Sequence, residues 1–577
     1  MIEALLVFAL AIGLGWPLGR HLAAVMRGTP SRSDRVFFLI EHPLYRLLGV
    51  DPARGMTWRG YARAFALSNL ALGTATWSLF MTQAWLPFNP DAVPNLRWDT
   101  ALHTMVSFLT NTNQQHYSGQ AQLSYLSQMV GIVGLQVITP MMGLALVVAT
   151  LRALMGGRRA MQADTEPATA SGGDVDVGNY WVDTIRATVR VMLPLCLLWS
   201  VLLTSQGVPS TLQAGPVATP IDASAGMHAQ KIPLGPVAPM VAVKQLGTNG
   251  GGWYGPNSAV PLENPTPLSN LLETLGILLL PVAVACMVGP FTGRRRLTAL
   301  VFGSMLLMSL ASTGAGMLLE SHTAASAASP ALMEGKEVRF GADASALWAM
   351  ATTQTSNGSV NAMHDSLAPL TGLVALGNML VNAIWGGIGC GLQQFLVYLL
   401  LAVFLAGLMT GRTPELFGRK IEAREVRLLS LLILLQPLVV LGFTALTLSL
   451  PQFTGGFETG ISNPGFHGIS QVFYEYTSAF ANNGSGFEGL GDGTVWWNLT
   501  CTLVLALGRY PALIVPLAVA ASLAGKRRAP EGPGSLKIET PTFALTVIAV
   551  IVLLTLLQFM PALVLGPIAD HLSLTAH

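Results

Sequence analysis

The chain has 577 residues, of which 51% are hydrophobic and only 10% are charged, and its formal net charge is +2. Soluble domains carry about a quarter charged residues, so this composition excludes a water-soluble globular protein and indicates several membrane spans. The small net charge and the absence of a long basic run give no support for a nucleic-acid partner.

Ten apolar runs are long enough to cross a bilayer, since a spanning helix needs roughly 20 mainly apolar residues. The first run contains Glu3 and has no basic leader, so we interpret it as an uncleaved span rather than a signal peptide. The predicted spans are 2–25, 62–86, 124–151, 180–206, 268–290, 297–319, 369–410, 428–450, 495–523 and 541–565.

The basic residues predict the orientation of these spans. With the N-terminus outside, the inner loops and helix ends hold 25 of the 31 Lys and Arg residues. The outer loops hold Arg97, Lys231, Lys244, Lys336 and Arg339. Because cytoplasmic loops carry an excess of Lys and Arg, we expect the N-terminus and the long loops to face outside.

Four of the outer loops share one pattern. Each has a short apolar stretch, then a cluster of Thr, Asn, Ser and Gly, then more chain before the next span. The stretches are WDTALHTMVSFLTNTNQQHYSG at 98–119, VAPMVAVKQLGTNGGGWYG at 237–255, DASALWAMATTQTSNGSVNAMHD at 343–365 and HGISQVFYEYTSAFANNGSGFEG at 467–489. One such cluster is typical of a turn, but four of them, each between two spans, predict a fourfold repeat.

Such loops have a chemistry suited to cations. Non-helical backbone at membrane depth is tolerated only where protein buries it or water reaches it. Four re-entrant loops on one axis can replace the water shell of a cation with carbonyl and hydroxyl oxygens, and glycine allows the backbone geometry this needs. The clusters contain no carboxylate ring, which favours a large monovalent cation over a divalent one. The excess of acidic residues in these loops either concentrates cations or is ordinary solvated surface.

The seventh run is too long for one straight helix, and Gly386, Gly387, Gly389 and Gly391 interrupt it. Glycine costs about 1 kcal/mol relative to alanine in a helix interior. We therefore expect a local break that serves as a gate or side exit, with close helix packing as the alternative. The following stretch, 412–426, alternates basic, acidic and apolar residues, which predicts an amphipathic helix on the inner surface that contacts lipid or a cytoplasmic partner.

Arg509 is a cation inside the ninth apolar run. An unpaired cation in the apolar part of a span costs at least about 2.5 kcal/mol. Arg509 therefore either connects neighbouring helices through carbonyls or a carboxylate, or lines an ion path.

The cysteines and the loop histidines show no metal-binding spacing. Cys196, Cys286, Cys390 and Cys501 lie in apolar runs without CxxC or Cys/His motifs, so we expect small buried side chains and no structural zinc site. Near the four loops lie His103, His116, His364 and His467. A proton-coupled site could use histidines, but we interpret these as loop residues with satisfied hydrogen bonds, and the pair His364–Asp365 as a candidate stabiliser of the third loop.

Several stretches together resemble a known family. They are VSFLTNTNQQHYSG, LGTNGGGWYGPNSAVPLENPTPLSN, MEGKEVRFG, NAMHDS, LAVFLAGLMTGRTPELFGRKI, NPGFHG and NNGSGFEGL. The chain is similar to the KdpA family, the potassium-binding subunits of bacterial potassium-transporting P-type ATPase complexes. The resemblance runs from the first span to PALVLGPIAD, and LGTNGGG followed by ENPT is highly specific.

The resemblance implies an all-α integral membrane fold of the potassium-transporter superfamily, pseudo-fourfold, with four span–pore-helix–filter-loop–span repeats. The implied units are an extra span at 1–25, repeat 1 at 60–153, repeat 2 at 179–290, repeat 3 at 294–411, the inner segment 412–426, repeat 4 at 427–523 and an extra span at 541–565. The filter stretches would be 110–115, 248–251, 353–358 and 482–485, with a broken helix near 386–391.

The resemblance also implies a function. The chain would be the potassium-selective binding and translocating subunit of an ATP-driven, high-affinity uptake complex in the bacterial inner membrane. K⁺ would be its transported ion, and it would have no ATP site and no catalytic residues. Its partners would be the P-type ATPase subunit KdpB, which hydrolyses ATP, and the accessory subunits KdpC and KdpF. The ion would leave the filter sideways toward the ATPase subunit.

Carried onto matching positions, the resemblance implies ion-binding and gating residues. The filter would contain Thr110, Asn111, Thr112, Asn113, Gln115, Thr248, Asn249, Gly250, Gly251, Thr353, Ser356, Asn357, Gly358, Asn482, Asn483, Gly484 and Ser485. The gate and exit would contain Gly386, Gly387, Gly389, Gly391 and Arg509. The family commonly has an aromatic residue where Gln114 stands, and a Cys or another small residue where Asn357 stands. Both departures bear on affinity and selectivity.

Two other functions are compatible with part of the sequence pattern. A self-sufficient potassium channel or symporter of the same superfamily, working with a cytoplasmic regulator, would share the four loops. A membrane-embedded enzyme would need a nucleophile, a metal site or a phosphate loop. The sequence has neither DKTGT nor GxxxxGK[ST], and MEGKEVRFG lacks the upstream glycine and the following Ser or Thr of a phosphate loop.

Overall fold

The computed structural model describes residues 2–158, 161, 175–222, 226–321, 333–450, 460–530 and 536–575. Within these residues, ten helices are long and apolar enough to cross a membrane. They confirm the ten predicted spans, with ends that differ by several residues and with one span replaced by two helices.

The helices follow the predicted order of four repeats between two extra spans. The first extra span is α1 (Ile2–Arg27), and α2 (Asp34–Leu47) follows it. Repeat 1 contains α3 (Trp58–Thr82), α4 (Trp98–Leu109), α5 (Gly119–Gln122), the π-helical turns Ser127–Val133 and α6 (Gly134–Leu154). Repeat 2 contains α7 (Tyr180–Ala187), the π-helical turn Thr188–Met192, α8 (Leu193–Ser205), α9 (Val237–Leu246) and α10 (Pro267–Thr292).

Repeat 3 contains α11 (Arg295–Ser321), α12 (Ala342–Gln354), α13 (Pro369–Val381) and α14 (Cys390–Met409). Repeat 4 contains α15 (Ala423–Ser449), α16 (Phe466–Ala481) and α17 (Val495–Ala524). The chain continues with α18 (Pro541–Leu563), the π-helical turn Val564–Ile568 and α19 (Ala569–Thr575). Short 3₁₀ turns lie at Gln83–Trp85, Asn257–Ala259 and His364–Ser366.

Threonine side chains cap the N-termini of four of the spans. Thr57, Thr266, Thr494 and Thr540 precede α3, α10, α17 and α18, and each hydroxyl accepts a hydrogen bond from a backbone N–H in the first turn. Such caps satisfy a donor that the helix leaves unpaired, which typically stabilises a helix by about 1 kcal/mol.

The helices α6 and α10 form the interior of the bundle, and most of their residues are buried. The extra helix α1 packs closely on α10 through two glycines. A Cβ atom at Gly15 would lie 2.7 Å from Val282 Cγ1, and one at Gly19 would lie 2.6 Å from Ala283 O. Small residues spaced by four positions allow membrane helices to approach in this way.

Four short helices lie between paired spans, one in each repeat, and we call them the pore helices: α4, α9, α12 and α16. Their side chains are largely buried, so protein surrounds them on most sides. The loops that follow them carry the predicted filter residues.

The third repeat contains a break in its second span. Helix α13 ends at Val381, and α14 begins at Cys390. Asn382 has a left-handed φ of 45°, and Gly386 and Gly389 have φ values of 60° and 87°. The break starts four residues before the first glycine of the predicted segment, and Gly391 already lies in α14.

Most of the inner segment at 412–426 is not the amphipathic helix that its charge pattern predicts, so that prediction is wrong; only 423–426 are helical, as the first turn of α15. The part before α15 forms a β-hairpin in which β3 (Glu415–Leu416) pairs antiparallel with β4 (Arg419–Lys420). Phe417 and Gly418 make the two-residue turn with φ values of 51° and 76°, a geometry that suits hairpins and ends helices. Buried Arg419 donates to Leu154 O at 2.8 Å, which attaches the hairpin to the end of α6. In repeat 2, β1 (Val217–Ala218) pairs antiparallel with β2 (Gln230–Lys231).

Candidate ion-binding site

The loop after each pore helix folds back on the helix in the same way. In each loop, one N–H donates to the carbonyl five residues earlier, in the last turns of the helix. The four hydrogen bonds are Thr112 N to Ser107 O at 3.0 Å, Asn249 N to Lys244 O at 3.0 Å, Asn357 N to Thr352 O at 3.1 Å and Asn483 N to Ser478 O at 2.9 Å. The donor residues are therefore equivalent positions of a fourfold repeat.

Left-handed backbone flanks this equivalent position in every loop. The residues before it are Asn111, Thr248, Ser356 and Asn482, with φ values of 61°, 50°, 51° and 53°. The residues after it are Asn113, Gly250, Gly358 and Gly484, with φ values of 58°, 77°, 86° and 99°. Because residues other than glycine rarely adopt this conformation, its recurrence at two positions of four loops is a common structural requirement.

The alternation of backbone conformations orients the peptide groups. In the first loop, the N–H groups of Thr112 and Asn113 both donate to Ser107 O, at 3.0 and 3.2 Å. Alternating right- and left-handed residues place successive N–H groups on one side of the chain. Since a trans peptide holds its carbonyl opposite its N–H, the carbonyls of Asn111 and Thr112 point away from the pore helix.

The four loops form a closed ring. A Cβ atom at Gly250 would lie 2.0 Å from Asn357 O in the third loop. The same atom at Gly358 would lie 2.1 Å from Asn483 O in the fourth loop, and at Gly484 2.1 Å from Thr112 O in the first. Between the first and second loops, a Cβ atom at Gly251 would lie 2.8 Å from Asn113 Cβ. Each loop therefore contacts the next, and the carbonyls lie around a common axis.

Asparagine side chains support this ring from behind. Asn357 Nδ2 donates to Lys244 O of the second pore helix at 2.9 Å, and Asn483 Nδ2 donates to Thr352 O of the third at 2.8 Å. Asn111 accepts from Thr139 Oγ1 at 2.9 Å, and its Nδ2 donates to Thr248 O at 3.1 Å. These carboxamides connect neighbouring repeats.

The electrostatics of the ring favour a cation. All four pore helices present their C-terminal ends to it, and each such end carries the equivalent of about half a negative charge. Lys244 is a buried cation directly behind the second loop, but its ammonium pairs with Glu263 and donates to Asn257 Oδ1 at 2.6 Å. Its charge is therefore compensated.

The structure brings the predicted loop residues together, with one exception. Thr353 lies inside α12, where its hydroxyl donates to Ala349 O at 2.7 Å and accepts from Asn378 Nδ2 at 2.9 Å, so its placement in the filter loop is wrong. The helix continues through Gln354, and the loop begins after it. The side chain of Gln115 connects the first loop to the second: its Nε2 donates to Gly252 O at 3.0 Å, and its Oε1 accepts from Gly252 N at 2.8 Å.

The predicted gate residues lie directly under the ring. A Cβ atom at Gly387 would lie 3.6 Å from Ser356 Cβ and 3.7 Å from Thr248 Oγ1, and one at Gly389 would lie 2.1 Å from Gly143 O of α6. Arg509, which is 2% exposed, contacts Cys390 Sγ at 2.8 Å and Thr139 O at 3.5 Å. This side chain therefore joins α17 to α6 and to the start of α14.

Sequence reasoning missed several supporting residues. Asn382 accepts from Ser356 Oγ at 2.9 Å and donates to Ala481 O at 3.2 Å, which connects the break to the third and fourth loops. Gln136 Nε2 donates to Gly251 O at 3.0 Å. Glu475, buried in α16, accepts a hydrogen bond from Gln114 Nε2. The sequence signal that could have identified these supporting residues is a polar side chain inside an otherwise apolar stretch.

The loop histidines have varied surroundings. His364 Nδ1 and Tyr474 Oη share a hydrogen bond of 2.9 Å, and Tyr474 Oη shares another, also of 2.9 Å, with Ser485 Oγ. His364 therefore supports the fourth loop through Tyr474. Its neighbour Asp365 contacts His467 instead, and the proposed His364–Asp365 pair as a stabiliser of the third loop is therefore wrong. Burial lowers the pKa of His364 to about 4, so this ring is neutral.

The chain is similar over nearly its whole length to one family of known proteins. The profile of the family described as "KdpA: Potassium-transporting ATPase A subunit" matches residues 5–572. A Gloeobacter violaceus protein named "Potassium-transporting ATPase potassium-binding subunit" is 43% identical, over 96% of this chain and 95% of its own. Proteins of the same name from Pseudomonas aeruginosa and Bacteroides fragilis are 44% and 41% identical, each over 98% of both chains. The solved potassium transporter TrkH from Vibrio parahaemolyticus superposes with a TM-score of 0.49 at 16% identity, covering 89% of this chain and 97% of its own.

Proposed function

Since this chain belongs to the KdpA family of potassium-transporting ATPase A subunits, we propose that it binds K⁺ selectively in the ring of four loops and passes it on. The ring is the binding part of an ATP-driven uptake complex. We infer that ATP is hydrolysed in another subunit, since the relatives are named as the potassium-binding subunit of the ATPase.

The observation that carries the proposal is the left-handed backbone at the same two positions of all four loops. This geometry turns carbonyl oxygens away from the pore helices and toward a common axis. Rings of carbonyl oxygens replace the hydration shell of K⁺ in selective pores. The proposed ion ligands are the carbonyls of Asn111, Thr112, Thr248, Asn249, Ser356, Asn357, Asn482 and Asn483.

The remaining predicted filter residues shape the ring. Glycine at positions 250, 358 and 484 permits the close contact of one loop with the next carbonyl. Thr110, Gln115, Gly251 and Ser485 fix the loop ends through hydroxyl and amide hydrogen bonds. Asn113 takes the place of the glycine in the first loop.

The broken helix and Arg509 form the exit in this proposal. The break at 382–389 lies below the third loop, and Asn382 connects it to two loops. Movement of Gly386, Gly387 and Gly389, with Gly391 at the start of α14, opens a lateral path. Arg509 sets a positive field at that path, which discourages K⁺ from resting there.

The proposed partners are the P-type ATPase subunit KdpB and the accessory subunits KdpC and KdpF. The proposed location is the bacterial inner membrane, with the N-terminus and the four loops outside. The distribution of Lys and Arg supports this orientation, since the inner loops and helix ends carry 25 of the 31.

The test is potassium-stimulated ATP hydrolysis in membranes that contain this chain together with its P-type ATPase subunit. Gly250→Ala places a methyl group against Asn357 O and should raise the half-saturating K⁺ concentration by about tenfold or more. Gly411→Ala is the matched control, because Gly411 also has a left-handed φ, 68°, but open space around its Cβ position.

Two results would contradict the proposal. Hydrolysis that responds neither to K⁺ nor to Gly250→Ala would remove the ion site from this ring. Passive K⁺ flux through the chain alone would favour a self-sufficient channel or symporter.

A further inference from the structure

A compact group of metal-type ligand atoms lies behind the first and fourth loops, outside the ion ring. It consists of His116 from the first loop, Glu475 from the fourth pore helix and Cys501 from α17, and we call it the outer cluster. The three ligand atoms, one from each residue, all lie within 4.8 Å of one another, and all three residues are buried.

The distances in the outer cluster fit the edges of a tetrahedral metal site. His116 Nε2 lies 3.1 Å from Glu475 Oε1, which lies 4.0 Å from Cys501 Sγ. Zinc bonds of about 2.0 Å to N and O and about 2.3 Å to S place N and O about 3.3 Å apart, and O and S about 3.5 Å apart. The O–S edge would have to shorten by about half an ångström, and the N–S edge, which lies within 4.8 Å, needs to be about 3.5 Å, so modest side-chain rotations would complete the coordination.

Hydrogen bonding already orients the histidine for coordination. Asn498 Nδ2 donates to Asp99 Oδ2 at 2.9 Å, so the Asn498 oxygen faces His116 Nδ1, 2.8 Å away. That oxygen can only accept, so Nδ1 carries a hydrogen and Nε2 is the nitrogen available to a metal. Histidine ligands in metal sites are held by the same kind of contact on the opposite nitrogen.

The outer cluster also has an approach from outside. Asp492 Oδ2 lies 3.8 Å from His116 Nε2, and the Asp492 side chain is 32% exposed. A carboxylate at the edge of a buried site attracts a cation and leads it inward. The fourth coordination position remains for water or for this carboxylate.

We propose that His116, Glu475 and Cys501 bind a borderline-soft divalent cation such as Zn²⁺ at a site distinct from the potassium ring. Imidazole and thiolate select such metals over K⁺, Mg²⁺ and Ca²⁺. Binding replaces the proton between His116 Nε2 and Glu475 and the proton of the Cys501 thiol. Two protons leave as one divalent cation enters, so the net charge of the buried group does not change.

The bound metal weakens potassium binding through Gln114. Gln114 lies in the first filter loop between Asn113 and Gln115, and its Nε2 donates to the same Glu475 oxygen that the metal takes. A metal on Glu475 Oε1 places positive charge next to this amide donor and displaces it. Gln114 thereby transmits occupancy of the outer cluster to the first loop.

Binding is measured directly on the purified full chain with Co²⁺, whose thiolate complexes absorb in the near ultraviolet. The unmodified chain and Cys196→Ala should give this band with one Co²⁺ per chain, and Cys501→Ala should not. Cys196 is the matched control, because it is also a buried cysteine of an apolar span. No band in the unmodified chain, or an undiminished band in Cys501→Ala, overturns the proposal.

A second measurement tests the effect on potassium and verifies that the variants fold. Zn²⁺ should raise the half-saturating K⁺ for ATP hydrolysis by about tenfold in the unmodified complex. In Cys501→Ala, K⁺-stimulated hydrolysis should persist and Zn²⁺ should have little effect. Zn²⁺ inhibition that is equal in both overturns the link through the outer cluster. The Co²⁺ band does not depend on transport, so it distinguishes failure of this site from failure of the proposed potassium function.

Discussion

The carboxamide of Asn357 connects two repeats of the ion ring. Its nitrogen donates to Lys244 O at 2.9 Å, and its oxygen accepts from Ser359 N at 2.9 Å and from Thr352 Oγ1 at 3.2 Å. All these groups are buried, so no water replaces the carboxamide when it is removed. A buried donor or acceptor left unpaired costs about 1–3 kcal/mol.

We therefore expect Asn357→Ala to lower the free energy of unfolding by about 3 kcal/mol and to raise the K⁺ concentration required for half-maximal hydrolysis. Thermal unfolding in detergent and the potassium dependence of hydrolysis are the measurements. The exposed Asn463, outside the ring, supplies the control variant Asn463→Ala. Equal stability of the two variants would show that the carboxamide does not support the ring.

At the level of elements, the fourth pore helix is attached at its start through a histidine. His467 Nε2 lies 2.8 Å from Asp365 Oδ1 after the third loop, and its Nδ1 lies 2.9 Å from Asp570 Oδ2 of α19. Burial alone would lower the pKa of His467, but the hydrogen bonds and charges of Asp365 and Asp570 raise this pKa to about 9. The protonated ring thus joins α16 to α19 and to the chain that follows the third loop.

The raised pKa of His467 has a defined consequence for stability against pH. Protonated His467 stabilises the fold fully below its unfolded pKa of about 6.5, and this stabilisation is lost as pH rises through about 9. After allowance for partial exposure, the loss should be about 1–2 kcal/mol. The midpoint of thermal unfolding should therefore fall more between pH 6.5 and 9 in the unmodified chain than in His467→Gln. Parallel pH profiles would contradict this role.

The inner hairpin illustrates why the charge pattern of an element was insufficient. The stretch 412–426 has the alternation expected of a surface helix. Phe417 and Gly418 adopt left-handed backbone, however, and the Arg419 side chain finds a buried carbonyl at the end of α6. A contact between distant parts of the chain thus overrides the local amphipathic pattern.

At the level of the whole molecule, the first extra span depends on close contact with α10. The Cβ position at Gly19 lies 2.6 Å from Ala283 O and 2.8 Å from Cys286 Cβ, so a larger side chain would push the two helices apart. Within a bilayer, such packing is the main source of helix association, because lipid tails are as apolar as the helix surface.

We expect Gly19→Leu to destabilise the chain by about 2–3 kcal/mol through this overpacking. Gly13→Leu is the matched control on the same helix, because no atom lies within 4 Å of its Cβ position. Thermal unfolding of the two variants in the same detergent measures the difference. A midpoint for Gly19→Leu as high as that for Gly13→Leu would show that α1 can shift without cost.

The number of spans and the four loop segments were predictable from the sequence, because they follow from local composition, whereas the predicted orientation stays a prediction. A run of roughly 20 apolar residues can cross a bilayer as one helix, and a cluster of Gly, Asn and Ser favours a turn. The clusters at 110–115, 248–251 and 482–485 follow their pore helices as expected. In the third repeat Thr353 was misplaced, because nothing local distinguishes the last turn of α12 from the loop that follows it.

Only the tertiary structure decided which polar side chains meet. His116, Glu475 and Cys501 belong to three elements and have no spacing that marks a metal site, yet their ligand atoms lie within 4.8 Å of one another. Likewise, Asp365 contacts His467 rather than the adjacent His364. The physical reason is that hydropathy and helix length are properties of continuous segments of the chain. Contacts between side chains depend on how the four repeats close around their axis, and the ring of loop carbonyls exists only after that closure.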